Sequence, residues 1–392
     1  MVRKPWSIFN CLTSIIKMKI RLTLLVLMLV LVLLLVVLNR YPTSPKVTVL
    51  NDFSAPFVFG HFTVPKDNPL TNEGVKLGRR LFYDPILSGS NQISCAHCHQ
   101  QSRAFTDGMV RSLGASGMPL PFNTPTLANL MWGPQHFFWD GRSPSLEQQA
   151  LLPITNPDEM NRDLDELMTE LKRIEEYRQL FSQAYGEINQ QNIAKALSAF
   201  QRTLVSANSK YDQFLAGTVI LSDQEELGRK LFMAHPDVKA SLRGGNCIDC
   251  HSQFLTGGFD TQYDGFSNNG LDEEQDLLPG LMAVTGKAEH KGLFKVPTLR
   301  NIALTAPYMH DGRFQSLEEV LDHYNQGIKV SSTLSPLIVE ADNQQQTLDY
   351  QPSLNLSEKE KQAIIAFLHT LTDESFITDP KLSNPFIGEV QP

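Results

Sequence analysis

The sequence predicts a mainly α-helical protein that contains two tandem copies of one domain, preceded by one transmembrane helix at the N-terminus. Three observations lead to this prediction. A pentapeptide with two cysteines and a histidine occurs twice, several short blocks recur around it in the same order, and a long apolar run lies near the N-terminus. The 392 residues are enough for two domains of ordinary size and a targeting segment.

The apolar run covers residues 22–38, which is long enough to cross the apolar core of a bilayer. Several basic residues precede it, whereas the first acidic residue of the chain is Asp52. Because basic flanks stay on the cytoplasmic side, we expect a cytoplasmic segment 1–21, an anchor 22–38 and a linker 39–66, with the rest exported. A cleaved signal peptide is the alternative, but the residues directly after the run are not the small ones of a cleavage site.

Four of the five cysteines occur in two C-x-x-C-H motifs, from Cys95 to His99 and from Cys247 to His251. This motif attaches c-type haem: the two thiols bond to the vinyl groups, and the histidine binds the iron. A four-cysteine zinc site would not need a histidine after each pair, and a dithiol redox motif normally occurs once. We therefore predict two covalent haem c groups. The predicted attachment and ligand residues are Cys95, Cys98, His99, Cys247, Cys250 and His251.

Internal repeats around the two motifs predict the domain organisation. Leu77 to Phe82 recurs as Leu227 to Phe232, Pro125 to Leu127 as Pro297 to Leu299, and Asp140 to Arg142 as Asp311 to Arg313. We expect two cytochrome c-like haem domains over 67–221 and 222–376, followed by a tail over 377–392. Apolar residues with a period of 3.6, such as those between Leu164 and Ile174, predict helices. The net charge of −8 and the pI near 5.7 argue against a nucleic-acid partner.

The repeat also predicts a difference between the two haems. Aligning the two Asp-Gly-Arg blocks places Pro153 opposite Tyr324. A phenol oxygen can bind ferric iron as a sixth ligand, whereas a proline ring has no donor atom. If this position faces the iron in both domains, Tyr324 caps the second haem and the first stays open to small oxidants. His323 and Met309 are rival candidates for the capping ligand.

These residues resemble the bacterial diheme cytochrome c peroxidase family, in particular its MauG-like branch, over roughly residues 70 to 372. The blocks that carry the resemblance are Ile93 to His99, Phe138 to Arg142 and Pro297 to Tyr308. The resemblance implies an electron relay at Trp139, a distal-pocket pair at Gln149 and Glu159, and a distal proline at Pro153. It also implies one Ca²⁺ between the domains, bound by Asn123 and the backbone oxygens of Thr305 and Pro307. Respiratory-type members carry a histidine after the first motif, but residues 100–123 contain none.

The predicted function is a peroxidase that reduces H2O2 to water at the open haem of His99, with electrons relayed from the haem of His251 and Tyr324. Glu159 would move the protons that peroxide cleavage requires, although an acid in its setting is otherwise often only solvated. The expected donor is a small cytochrome c or cupredoxin. One alternative is MauG-like oxidation of residues in a client protein during quinone-cofactor maturation; another is a non-enzymatic electron-transfer cytochrome. The expected location is the bacterial inner membrane, with the N-terminus cytoplasmic and the haem domains in the periplasm.

Overall fold

The computed structural model describes residues 18–32, 50, 56, 58–60, 62–133, 136–252, 265–343 and 352–387. The chain up to Lys46 and the chain from Val47 onward form two separate units. In the first unit, residues 18–32 are helical. Within the described residues, no helix is both long and apolar enough to cross a bilayer. Residues 33–38 of the predicted anchor lie outside the described part, so the anchor stays a prediction.

The second unit is mainly helical, as the sequence predicts. In its described part, the β-structure comprises isolated bridges and one antiparallel pair of two-residue strands, Phe266–Ser267 and Phe294–Lys295. The α-helices are Asn72–Tyr83, Cys95–Cys98, Leu146–Thr155, Leu164–Arg173, Glu175–Ala184, Gln190–Arg202, Lys210–Leu215, Asp223–Met233, Cys247–Cys250, Met282–Thr285, Leu317–Asp322, Pro336–Val339, Glu358–His369 and Glu374–Thr378. Short 3₁₀ turns are Pro85–Leu87, Gln101–Arg103, Leu130–Trp132, Ala288–His290 and Ile302–Leu304, and a π-helical turn covers His323–Gly327.

This unit has two hydrophobic cores, each built on one pair of crossing helices. The first half is the part around the core that runs from Leu77 to Leu204 and includes Phe376 and Leu382, and the second half is the part around the core that runs from Tyr211 to Leu371. Asn72–Tyr83 crosses Gln190–Arg202 in the first half, and Asp223–Met233 crosses Glu358–His369 in the second. The crossings are close because a glycine of the repeated Leu-Gly-Arg block lies at each. A β-carbon added at Gly78 would lie 1.8 Å from a backbone oxygen of the facing helix, and the same holds at Gly228. The repeated glycines are therefore required by the helix packing.

Two backbone hydrogen bonds join the halves in a reciprocal way. The amide of Asn123 donates to the carbonyl of His310 at 2.8 Å, and the amide of Lys295 donates to the carbonyl of Trp139 at 2.8 Å. Asn123 and Lys295 both stand two residues before a Pro-Thr-Leu block, and Trp139 and His310 both precede an Asp-Gly-Arg block. The duplicated segments thus meet as counterparts across the centre of the unit.

The segment predicted as a tail, 377–392, belongs in part to the folded unit. Leu382 is buried in the core of the first half, and its carbonyl accepts a hydrogen bond from the phenol of Tyr83 at 2.7 Å. Arg79 donates to the carbonyl of Ser383 at 2.7 Å. The apolar side chains of this stretch are too few to show a helical period, which is why the sequence alone suggested a tail. Residues 388–392 lie outside the described part.

We predict that Gly78→Ala and Gly228→Ala each lower the free energy of unfolding. Alanine favours an exposed helix by up to about 1 kcal/mol, but here its β-carbon meets a backbone oxygen that a side-chain rotation cannot move. Overpacking of this kind costs about 1–3 kcal/mol or more. Denaturant unfolding measures the effect. Lys76→Ala and Gln224→Ala, at exposed positions of the same helices, are the controls. Unchanged or increased stability in both glycine variants would contradict the packing described above.

Candidate haem sites and active site

The first C-x-x-C-H motif forms a single helical turn, Cys95–Cys98, with His99 directly after it. The Nδ1 of His99 donates to the carbonyl of Phe105 at 2.9 Å, which fixes the ring and leaves Nε2 as the atom that can bind a metal. Burial lowers the pKa of His99, so the imidazole is neutral, as a metal ligand must be. The turn therefore presents two thiols and one neutral imidazole to the same side.

A cavity lies beside this turn, with about 1230 Å³ of empty space that is partly open to solvent. It brings together all the residues that the sequence analysis assigned to the first haem and its distal pocket. These are Cys95, Cys98, His99, Trp139, Gln149, Pro153 and Glu159. Gln149 and Pro153 come from the helix Leu146–Thr155, which begins at the capping residue Ser145. The structure therefore brings these seven residues together around one cavity, and their chemical roles stay predictions.

Two polar side chains of this cavity have unusual surroundings. The amide oxygen of Gln149 is buried and has no hydrogen-bond partner within the described part of the chain. Burial raises the pKa of Glu159, an effect that the positive charge of Arg142 partly opposes. Buried polar atoms are normally paired, so the oxygen of Gln149 indicates a place where a polar ligand is expected. The raised pKa allows Glu159 to exchange a proton closer to neutral pH than an exposed glutamate.

Arg142, which the sequence analysis did not assign to the site, lines the same cavity. Its guanidinium lies 3.6 Å from the ring centre of Phe138 and donates to both carboxylate oxygens of Asp140, at 2.9 and 3.1 Å. The ion pair and the ring together hold Arg142 in one orientation near Glu159. The recurrence of Asp-Gly-Arg in both halves was the available sequence signal for this arrangement.

The second motif repeats the arrangement of the first. Cys247–Cys250 is again one helical turn, and the Nδ1 of His251 donates to the carbonyl of Pro297 at 3.1 Å. Burial lowers the pKa of His251 to about 4, so this ring is neutral as well. The turn opens onto a second cavity, with about 1280 Å³ of empty space that is partly open to solvent and walls that are mostly apolar side chains of the second half.

Tyr324 and Met309 both line the second cavity, and the same side-chain amide contacts both. The Nδ2 of Asn269 donates to the phenol oxygen of Tyr324 at 3.3 Å and to the sulfur of Met309 at 3.4 Å. Burial raises the pKa of Tyr324 to about 12, and the bond from Asn269 opposes this rise. The Nε2 of His323, in contrast, donates to the backbone carbonyl of Asn269 at 3.0 Å. Two of the three candidate ligands therefore lie in the cavity, on a π-helical turn and a nearby loop.

Asn269 was missed by the sequence analysis because it lies in a stretch rich in glycine and asparagine that carries no motif.

Trp139 and Lys295 form a wall shared by the two cavities, because each side chain lines both. The indole Nε1 of Trp139 donates to the carbonyl of Asn123 at 2.8 Å, which holds the ring in place. Lys295 is only 6% exposed. It was not predicted as a site residue, although its repeat counterpart Asn123 was.

The three residues predicted to bind calcium line a smaller cavity between the halves. Asn123, Thr305 and Pro307 all contribute to it, together with Trp139 and Lys295. The side-chain nitrogen Nδ2 of Asn123 donates to the carbonyl of Met109 at 2.8 Å, which leaves the side-chain oxygen Oδ1 for other partners. In the described ranges, no group of three or more acidic, histidine or cysteine residues could hold a metal. An ion here would therefore depend on neutral oxygen ligands.

The chemistry of the cysteines fits covalent haem attachment. All four motif cysteines are free thiols. Burial raises the pKa of Cys95 and Cys247 to about 12, and that of Cys98 and Cys250 to about 11. Each pair of neutral thiols lies beside a large cavity, as bonds to the two vinyl groups of one haem require. Together with the anchored imidazoles, the two cavities have what a haem c group requires.

Comparison with known proteins agrees with this reading of the two sites. The family model described as di-haem cytochrome c peroxidase matches residues 72–219. The methylamine utilization protein MauG of Methylorubrum extorquens is 40% identical over 322 residues, which are 81% of this chain and 84% of that protein. The cytochrome c551 peroxidase of Nitrosomonas europaea is 36% identical over 257 residues, which are 65% of this chain and 73% of that protein.

A solved structure is also similar over most of the chain. It is the crystal structure of a MauG-like protein associated with microbial copper homeostasis, with 35% identity and a TM-score of 0.74. The similarity covers 86% of this chain and 99% of that one. With relatives of this identity matched over most of their length, the chain belongs to the bacterial diheme cytochrome c peroxidase family, in its MauG-like branch.

Proposed function

We propose that this protein is a diheme c-type cytochrome peroxidase. It reduces H2O2 to water at the haem held by His99, with electrons from a second haem held by His251 and Tyr324. The observation that carries the proposal is the asymmetry of the two cavities. The first combines the half-buried carboxyl group of Glu159 with the unpartnered amide oxygen of Gln149, while the second presents the phenol of Tyr324.

When bound, a haem c group supplies an iron that can bind peroxide and change its oxidation state. Reduction of one H2O2 to two waters consumes two protons and two electrons. Glu159 takes a proton from one peroxide oxygen and delivers it to the other, a task that its raised pKa favours. The side-chain oxygen Oε1 of Gln149 orients the peroxide by accepting a hydrogen bond from its O–H group. The repeat aligns Pro153 with Tyr324 of the second half. Because a proline ring has no donor atom, the first cavity offers no capping ligand at this position.

Electrons pass between the two sites through the shared wall in this proposal. Trp139 lines both cavities, and its indole is fixed by the hydrogen bond to the carbonyl of Asn123. A rigid aromatic ring between two redox groups shortens the gap that electrons cross. The electrons come from a small donor protein, a cytochrome c or a cupredoxin.

Oxidation of a client protein is the second candidate function. Two features favour it: the phenol of Tyr324 in the second cavity, and the 40% identity to the methylamine utilization protein MauG of Methylorubrum extorquens. In this function, electrons come from a tyrosine or tryptophan of the client during quinone-cofactor maturation. A simple electron-transfer cytochrome would not need Glu159 and Gln149 in the first cavity.

The remaining proposals concern the surroundings of the two haems. One Ca²⁺ between the halves, bound by Asn123, Thr305 and Pro307, is supported by their shared cavity. A single membrane anchor at 22–38, with the haem domains in the periplasm, is supported by the apolar run and the basic residues before it. In this arrangement, the anchor keeps the protein at the inner membrane of a bacterium.

We expect Glu159→Gln to slow peroxide turnover by about 10²–10⁴-fold, because the amide cannot carry the proton between the two oxygens. Both haems should stay attached, since Glu159 is not part of either C-x-x-C-H motif. Two quantities are measured: the rate of H2O2 consumption with a reduced donor protein, and the haem content of the variant. Asp158→Asn removes the exposed neighbouring carboxylate and is the matched control. Unchanged turnover in Glu159→Gln would remove Glu159 from the mechanism.

We expect Tyr324→Phe to change the second haem from low-spin to high-spin, because the variant loses the phenol oxygen that caps the iron. Met309→Leu removes the sulfur of the rival candidate in the same cavity. It should leave the spectrum unchanged, because the proposed ligand is the phenol oxygen of Tyr324. Electron paramagnetic resonance of the two ferric variants measures the difference. A spin-state change in Met309→Leu but not in Tyr324→Phe would assign the ligand to the sulfur.

A further inference from the structure

Lys295 occupies a position that neither haem attachment nor the peroxidase proposal explains. It ends the strand Phe294–Lys295, where it pairs with Phe266, and its backbone amide donates to the carbonyl of Trp139. Its side chain is 6% exposed and lines both haem cavities as well as the smaller one between the halves. The chain therefore buries an amine at the point where its three central cavities meet.

The buried amine has no protein counter-ion in the described part of the chain. Burial lowers the pKa of Lys295 to about 8; the charge of Asp140 opposes this fall, and that of Arg142 adds to it. Both carboxylate oxygens of Asp140 already bind the guanidinium of Arg142. No hydrogen bond or ion pair joins the Nζ of Lys295 to any described residue. A buried ammonium without a partner is costly, so the fold would not keep it unless a ligand supplied the negative charge.

Haem c brings the missing charge into these cavities. Each group carries two propionate side chains, and the thioether bonds to the cysteines use only the vinyl groups. The other charged side chain of the shared wall region, Arg142, is held by Asp140. In the repeat, the counterpart of Lys295 is Asn123, which is neutral. Of Arg142 and Lys295, the two basic residues that line the haem cavities, Arg142 is paired with Asp140, so Lys295 is the one whose charge is available to a ligand.

We propose that the ammonium of Lys295 is the counter-ion of a haem propionate at the shared wall, and that its charge raises the reduction potential of the neighbouring haem. A positive charge near the iron stabilises the ferrous form, which has one positive charge less than the ferric form. Because the side chain lines both cavities, its charge acts on both haems, and more strongly on the one whose propionate it binds. The proposal rests on haem attachment alone and does not depend on the peroxidase function.

Spectroelectrochemical titration of the full-length protein with both haems attached tests the proposal. We expect Lys295→Met to lower the potential of at least one haem, and Lys295→Arg to retain potentials close to those of the original protein. Lys291→Met is the matched control, because it removes the same charge four residues earlier from a side chain that lines neither haem cavity. A shift in Lys295→Met that is absent from Lys291→Met would support the counter-ion role.

Two results would overturn the proposal. Potentials that are unchanged in Lys295→Met would show that the amine is neutral or distant from the propionates. An equal shift in Lys291→Met would show that only the net charge matters. If Lys295→Met fails to fold, Lys295→Gln, which keeps a polar end without the charge, gives the same measurement with the same two contrary results.

Discussion

The two reciprocal backbone hydrogen bonds at the centre of the folded unit, from Asn123 to His310 and from Lys295 to Trp139, are the constraint on which the two sites depend. They place the counterpart segments of the duplicated chain against each other. Because Trp139 also donates to the carbonyl of Asn123, the ring is fixed between the two haem cavities. This contact also sets the positions of Trp139, of Lys295 and of the smaller cavity proposed to bind calcium.

The duplication gives each half the same arrangement for holding a haem, and the two halves differ in a few residues that line each cavity. In both halves, a helical turn carries the thiols and a backbone carbonyl orients the histidine. The halves differ in the other residues of each cavity, where the first has Pro153 and the half-buried Glu159 and the second has Tyr324. In the proposed function, this difference makes the first site open to peroxide and the second a capped site for electrons.

The sequence predicted the helical class, the haem motifs and the pocket residues because each rests on local spacing or on the repeat. It did not predict Asn269, Arg142 or Lys295, whose significance arises from long-range packing. Asn269 matters only because the fold brings its amide to Tyr324. Likewise, Leu382 looks like part of a tail until the core of the first half is seen to enclose it. The roles proposed for Glu159, Gln149 and Trp139 rest on the chemistry of their side chains and on the family resemblance.

The central claim is that one haem is open and the other is capped. Low-temperature electron paramagnetic resonance of the purified ferric protein, before and after addition of H2O2, tests it most directly. The account predicts one high-spin and one low-spin signal, and both should be lost when peroxide is added because the two sites share the oxidation. Two low-spin signals that peroxide leaves unchanged would contradict the account and leave an electron carrier.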